Sequence, residues 1–399
     1  MTTNNDAQLI QEKVAQATQI LNELDVDLWL TFARETSMNP DPVLELIGVD
    51  VTWHSAFLIS RTGDHEAIIG YYDADNVRDL GAYPTVTDYH QGIRKHLLAA
   101  LDRLQPQTIA LNSSETDVSA DGLTYGLYRT LCGYVADTPH ADRFVSAEKI
   151  IAAVRGRKSQ TEIERVRQAV ATTEALFDEV EQFARPGMTQ SQIATYVQER
   201  IDEMGLGYAW PKPYNPIVTC GPHSAVGHAM PGDVVLERGH LLQMDLGIKR
   251  DGYCSDLQRM WYVLDEGETE APADVQQAFD VVYGAIKAGE AALKPGVPGW
   301  QVDAPARAHI VAHGYPEYMH ALGHLVGRSA HDGATVLGPR WERYEGICEL
   351  LVEAGNIFTL ELHITVPNRG VMSLEEDVLV TEDGVTYLSQ PQTELRYIS

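Results

Sequence analysis

Residues 241–262 read LLQMDLGIKRDGYCSDLQRMWY, and the way this stretch pairs with itself decides the fold of the second half of the chain. Apolar and polar residues alternate on either side of Asp251-Gly252, the strongest short-range signal for a two-residue hairpin turn. With those two residues as the turn, Arg250 faces Tyr253 and Asp245 falls opposite Gln258. Asp256 lies two positions before Gln258, so the strand period points both aspartates from one face as diagonal neighbours. Two like charges so close, on a surface otherwise built for burial, are unfavourable without a cation between them. On this stretch alone, a solvated hairpin with two exposed acids fits equally well.

A second hairpin breaks the tie. The run Gly239 to Leu246, GHLLQMDL, aligns with Gly355 to Leu362, GNIFTLEL, at an offset of 116 residues, so Glu361 stands where Asp245 stands. The strand then meets a turn cluster at Pro367–Gly370 and returns through Val371-Met-Ser-Leu to Glu375. A three-residue loop of Asn368, Arg369 and Gly370 puts Glu361 and Glu375 on one face; a two-residue loop does not.

The elements before each hairpin repeat as well. Ser159-Gln-Thr-Glu162 is a capping box opening a helix that runs to Phe183 and stops at Arg185-Pro-Gly187. A second box, Thr189-Gln-Ser-Gln192, opens a helix closing at Gly205. Lys294-Pro-Gly296 follows a helix from about Ala273 and precedes one closing at Gly314, both marks lying 109 residues beyond their counterparts. Each half reads as helix, Pro-Gly break, helix and carboxylate hairpin. The region from residue 156 to 399 is therefore expected to be an internally duplicated domain with its site at the pseudo-twofold axis.

Residues 1–155 differ in character. An amphipathic helix over Asp6–Leu24 carries Leu9, Ile10, Val14, Ala17, Ile20 and Leu21 on one face. Strand signals at 27–32, 56–60, 66–70 and 108–112 and a helix near 91–104 make an α/β alternation without metal-ligand spacing or a phosphate loop. The chain as a whole is long enough for two to three domains at 399 residues and 44% hydrophobic content. A formal charge of -27 excludes a nucleic-acid partner on electrostatic grounds. The N-terminus lacks an apolar signal region and no later run approaches a membrane span, so the expectation is a cytoplasmic protein without a membrane partner. Cys132, Cys220, Cys254 and Cys348 form no CxxC pair and are expected to be reduced thiols.

Histidines complete the chemistry. Gly323-His324-Leu-Val-Gly327-Arg-Ser-Ala-His331 places two histidines among glycines, and His228 follows Gly227 shortly before the first hairpin. Glycines let the backbone pass close to a site, and a neutral imidazole can ligate a metal or hold a substrate. His309, His313 and His320 read as structural or surface residues.

These residues together make the chain similar to the pita-bread metallopeptidases, the family of prolidase, aminopeptidase P, methionine aminopeptidase and the metal-free creatinase. The likeness covers essentially the whole chain, with a creatinase/prolidase-like N-terminal α/β domain over 1–155 and a pseudo-twofold pita-bread catalytic domain over 156–399. It places five metal ligands on Asp245 in MDLG, Asp256 in CSDLQR, His324 in GHLVG, Glu361 in TLELH and Glu375 in SLEED. It implies two divalent ions, with Mn²⁺ favoured and Co²⁺, Zn²⁺ or Fe²⁺ as alternatives, bridged by Asp256 and Glu375. A metal-bridging hydroxide would hydrolyse Xaa-Pro bonds of short peptides, as a dipeptidase or aminopeptidase, with Glu361 exchanging the proton. His228 and His331 match the positions that hold the substrate carbonyl and the tetrahedral intermediate. A homodimer is implied by the same likeness.

The sequence departs from the family at three places. Glu361 is followed by Leu362-His363 instead of Pro-Gly, Ser373 stands where an arginine is usual, and Gly227 precedes His228 instead of proline. Arg340 and Arg343 are candidates to take over from the missing arginine in binding a substrate carboxylate, though two surface arginines are an equal reading. These departures leave open a same-fold hydrolase or lyase acting on a non-peptide small molecule. A non-catalytic binding protein is a third possibility, disfavoured by five intact ligands.

Overall fold

The helix expected at the N-terminus forms as α1 (Asn4–Glu23), and Leu9, Ile10, Val14, Ala17, Ile20 and Leu21 are all buried. It opens the first of two compact units, Met1–Arg155 and Gly156–Ser399, in a computed structural model that describes residues 4–399. The first unit is built on six strands: β1 (Leu28–Ala33), β2 (Ser55–Ser60), β3 (Glu66–Gly70), β4 (Thr85–Tyr89), β5 (Ile109–Leu111) and β6 (Phe144–Ser146). Their order is β4-β3-β2-β1-β5-β6, with β1, β2 and β3 antiparallel and the outer pairs parallel. Every residue of β1 and β2 is buried, because helices cover both faces. One core joins α1 to Trp29, Phe57 and Ile59; the other faces α4 (Arg94–Leu104) and α5 (Tyr125–Val135), after the short α2 (Leu44–Ile47) and α3 (Ala74–Arg78).

The second unit begins at the end of α6 (Glu148–Gly156). Both capping boxes form: Ser159 and Glu162 cap α7 (Gln160–Phe183), and Thr189 and Gln192 cap α8 (Gln190–Glu203). The second pair is α9 (Ala273–Ala292) and α10 (Gly299–Ala312). The duplication shows in hydrogen bonds as well as in pattern. Gly187 N donates to Leu236 O and Leu236 N to Met188 O; in the other half Gly296 N donates to Val352 O and Val352 N to Val297 O. Each Pro-Gly break is thereby tied to the loop before a carboxylate strand.

A small sheet holds β7 (Gly207–Tyr208), β10 (Ile248–Arg250) and β11 (Tyr253–Cys254). The large one holds β8 (Ile217–Cys220), β9 (Leu241–Leu246), β12 (Leu257–Val263), β15 (Ile357–Val366), β16 (Gly370–Thr381), β17 (Gly384–Tyr387) and β18 (Arg396–Ile398). Its main path runs β15-β16-β12-β9-β8, antiparallel throughout. Two further strands, β13 (Gly323–His324) and β14 (Val336–Leu337), carry the histidine segment. Phe279, Phe358, Leu360, Leu362 and Met372 pack α9 against the back of this sheet, leaving the other face for the carboxylates.

The first hairpin has the register read from its turn: Arg250 pairs with Tyr253 and Asp245 with Gln258. Asp251 and Gly252 both take positive φ, 49° and 78°, as a type I′ turn requires. The second hairpin corrects the expected loop by one position. Val366 pairs with Gly370, so the three loop residues are Pro367, Asn368 and Arg369. The parity survives, and Glu361 lies directly across from Glu375. None of the four cysteines is paired, and among the described residues no helix is long and apolar enough to cross a membrane.

Candidate metal centre

Four registers draw a line across the large sheet. Ile217 pairs with Asp245, Asp245 with Gln258, Gln258 with Glu375, and Glu375 with Glu361. Side chains of paired residues leave the same face, so three acids project side by side. Asp256, two residues before Gln258, joins them, and its backbone N–H donates to Asp377 Oδ2 at 3.1 Å. His324 arrives from β13, held by its backbone N–H to Thr359 Oγ1 at 3.1 Å. Its Nε2 lies 3.7 Å from Asp256 Oδ2 and 3.5 Å from Glu361 Oε1. Asp256, His324 and Glu375 each offer a ligand atom within 4.8 Å of the others.

All five expected ligands line one cleft of about 500 Å³, together with His228 and His331. The segment joining His324 to His331 folds back on itself, with Asp332 N donating to Leu325 O at 2.8 Å. A buried ion pair of 2.7 Å between Lys158 and Asp332 fixes its far end. Gly327 makes this possible, since a Cβ there would sit 2.0 Å from Asp332 Oδ2. The His324 and His331 rings meet edge to face at 4.2 Å. Trp210, Pro211 and Tyr214 line the same cleft, and Ile217 ends the row of acids on the sheet. Trp210 Nε1 donates to Tyr214 O at 2.7 Å, and Gly247 lets the indole close in, a Cβ there lying 2.4 Å from it.

The electrostatics are those of a site built for cations. Burial pushes Asp245 up to about 7, and burial together with the Asp245 charge pushes Glu361 up to about 8. Asp256 and Glu375 are driven well above the carboxylate range, by burial first and then by the neighbouring acids. His324 falls to about 3 through burial and the adjacent His331, and His331 is lowered by burial and His228 although its edge meets solvent. Both rings are thus neutral at physiological pH, the form that ligates or donates a single N–H. Asp245 Oδ1 and Glu375 Oε2 are buried with no hydrogen-bond partner among the described residues. Among the described residues the lining contains no lysine or arginine to neutralise these acids. Orphaned carboxylate oxygens beside an imidazole are what hard divalent cations require, so the residues fit the metal that the sequence implies.

Arg340 and Arg343 are not brought to the cleft. Arg340 lies over Trp300 and forms a two-pronged pair with Glu349, and Arg343 donates to Met319 O and stacks on Trp341. Leu362 faces the core and so does not shape the cleft surface. His363 pairs in register with Ser373 and its Nδ1 meets His320 Nε2 at 3.1 Å. Sequence reasoning passed over Gln258, which sits between two of the acids, and the buried Gln243 and Asp377. Gln258 was within reach, because the hairpin register already set it opposite Asp245.

A curled antiparallel sheet with acids from both of its hairpins and a neutral histidine in one cleft defines a metal-dependent hydrolase of the pita-bread class. Residues 164–382 match Metallopeptidase family M24, and the chain belongs to that family. An uncharacterized peptidase of Bacillus subtilis (strain 168) is 29% identical over 279 residues, 69% of this chain and 72% of its own length. One from Staphylococcus saprophyticus is 32% identical over 242 residues, covering 60% of this chain and 65% of that protein. Among solved structures, the Xaa-Pro dipeptidase from Bacillus anthracis superposes with a TM-score of 0.73 at 22% identity, over 98% of this chain and 100% of that one. The X-Pro aminopeptidase from Thermotoga maritima MSB8 gives 0.70 at 24% identity, over 96% and 99%. At these identities the structural likeness establishes the fold.

Proposed function

We propose that the protein is a dinuclear metallopeptidase that hydrolyses Xaa-Pro bonds of short peptides. The observation that carries this reading is the convergence of Asp245, Asp256, His324, Glu361 and Glu375 on one cleft with orphaned oxygens and no fixed cation. These five residues would hold two divalent ions, which polarise a scissile carbonyl and lower the pKa of a bound water. His331, kept neutral by its surroundings, has one N–H to give to the carbonyl oxygen as it gains charge, and His228 lines the same cleft. Glu361 would take a proton from water and return it to the leaving nitrogen. Its Oε2 accepts from Gln258 at 3.3 Å while Oε1 turns toward His324. Trp210, Pro211, Tyr214 and Ile217 give the cleft an apolar lining that suits a proline ring.

Because no lysine or arginine among the described residues lines the cleft, a free C-terminal carboxylate next to the scissile bond finds no fixed partner there. This supports an aminopeptidase that cuts before proline in a chain continuing past it. The test is release of the N-terminal residue from Ala-Pro and Ala-Pro-Ala with Mn²⁺ and with a chelated control. The reading expects metal-dependent cleavage with Ala-Pro-Ala preferred. Cleavage of neither peptide by metal-loaded protein would overturn it in favour of a non-peptide substrate.

A further inference from the structure

Between Asp245 and Glu375, in a row otherwise made of acids and Ile217, stands the neutral amide of Gln258. Its orientation follows from what surrounds it. As a metal ligand, the Glu361 carboxylate can only accept hydrogen bonds, so the Gln258 atom 3.3 Å from Glu361 Oε2 must be Nε2. That puts Gln258 Oε1 on the far side, where Gln243 Nε2 meets it at 3.1 Å and Ser373 Oγ also donates. With its Nε2 so used, Gln243 offers Oε1, and Thr219 Oγ1 donates to it at 3.1 Å. From Glu361 to Thr219 each step leaves the next one no freedom, whereas the single Ser373 proton has a second acceptor in Leu362 O at 3.1 Å. The donors Thr219, Gln243 and Gln258 run in turn to the acceptor Glu361, one residue from each of β8, β9, β12 and β15, with Ser373 on β16 beside the ladder.

Thr219, Gln243, Gln258 and Ser373 are all buried. Polar side chains cost stability in such a place unless every group is satisfied, and apolar residues would cover a sheet face more simply. What this ladder supplies is a carboxylate held at one oxygen, leaving the other free to turn into the cleft. We propose that Gln258 is a positioning residue for Glu361, its amide fixed by Gln243, Ser373 and Thr219, and that this ladder tunes the metal site. The inference rests on the reading of Glu361 as a ligand.

The test is a calorimetric Mn²⁺ titration of the metal-free full chain and of Gln258→Met, Thr219→Val and Glu361→Gln. Melting in chelator, and kcat and KM with Ala-Pro-Ala, are measured on each. Loss of such an outer partner weakens metal binding by about 10- to 100-fold. Gln258→Met is expected in that range, with lower kcat and little change in KM. Thr219→Val touches neither Glu361 nor Gln258, and is expected to weaken binding several-fold in the same direction. Parental Mn²⁺ affinity and kcat in Gln258→Met, with binding lost in Glu361→Gln, would overturn the positioning role and leave the ligand reading intact. A fall in melting temperature alone, with affinity unchanged, would reduce the ladder to a structural feature. Parental affinity in Glu361→Gln would remove the ligand reading, and the inference with it. Should Gln258→Met fail to fold, Thr219→Val and Ser373→Ala decide, and parental affinity in both overturns the proposal.

Discussion

Replacing Asp245 by asparagine should stabilise the protein when no metal is present and abolish what metal does for it. Burial raises the Asp245 carboxyl from 3.8 to about 7. The sign follows from linkage: the folded state holds the proton more tightly, so stability falls as pH rises from the unfolded value through the folded one. Above pH 7 the whole penalty is present, about 4 kcal/mol at 1.36 kcal/mol per unit. The side chain is only half-buried and opens on the cleft, which cuts this to about 2 kcal/mol. In a unit of this size that is a melting rise of about 4–8 °C. The assay is thermal unfolding in chelator at pH 8 and pH 5, repeated with Mn²⁺. Asp245→Asn should melt higher than the parent in chelator at pH 8, with the gain shrinking towards pH 5, and should lose most of the parent's stabilisation by Mn²⁺. A variant that melts below the parent in chelator at pH 8, or that keeps the full metal response, would refute the reasoning.

His331→Ala should keep parental Mn²⁺ affinity by calorimetry while kcat falls about 10²- to 10³-fold, the usual loss for one donor to a developing oxyanion; loss of metal instead would make His331 a ligand. Lys158→Met removes the buried 2.7 Å ion pair with Asp332 and should cost about 3–5 kcal/mol in denaturant unfolding. Gly327→Ala drives a Cβ into Asp332 and should lower both melting temperature and kcat, since the same segment carries His331. Arg340→Ala, by contrast, should leave KM for Ala-Pro-Ala within about twofold of the parent, because Arg340 pairs with Glu349 on an exposed surface.

The parts of this site that were legible in the sequence are those governed by local rules. Asp251-Gly252 admits one turn type, and that turn sets every pair back to Asp245 and Gln258. The capping boxes at Ser159 and Thr189 satisfy helix N–H groups within four residues, so they form where they are read. The repeated Pro-Gly breaks at 187 and 296 marked the duplication for the same reason. The second hairpin was harder, because Asn368 and Gly370 both accept positive φ and several loops of Pro367–Gly370 are sterically open. What no local rule contains is the pairing of β12 with β16. Gln258 meets Glu375 through a register set by packing between distant segments, and the Thr219–Gln243–Gln258 ladder depends on it. Arg340 and Arg343 failed as cleft residues for a similar reason, since nearness in sequence to His331 says nothing about which way a loop turns.

Occupancy of the cleft by two ions is the first consequence of this geometry. Anomalous scattering from crystals soaked in Mn²⁺, collected for the parent and for Asp256→Asn, tests it without reference to any substrate. Two peaks are expected in the parent cleft, flanked by Asp256 and Glu375, with weakened or missing peaks in the variant. A parent cleft with no Mn²⁺ peak, or a variant cleft occupied as fully as the parent, would contradict it.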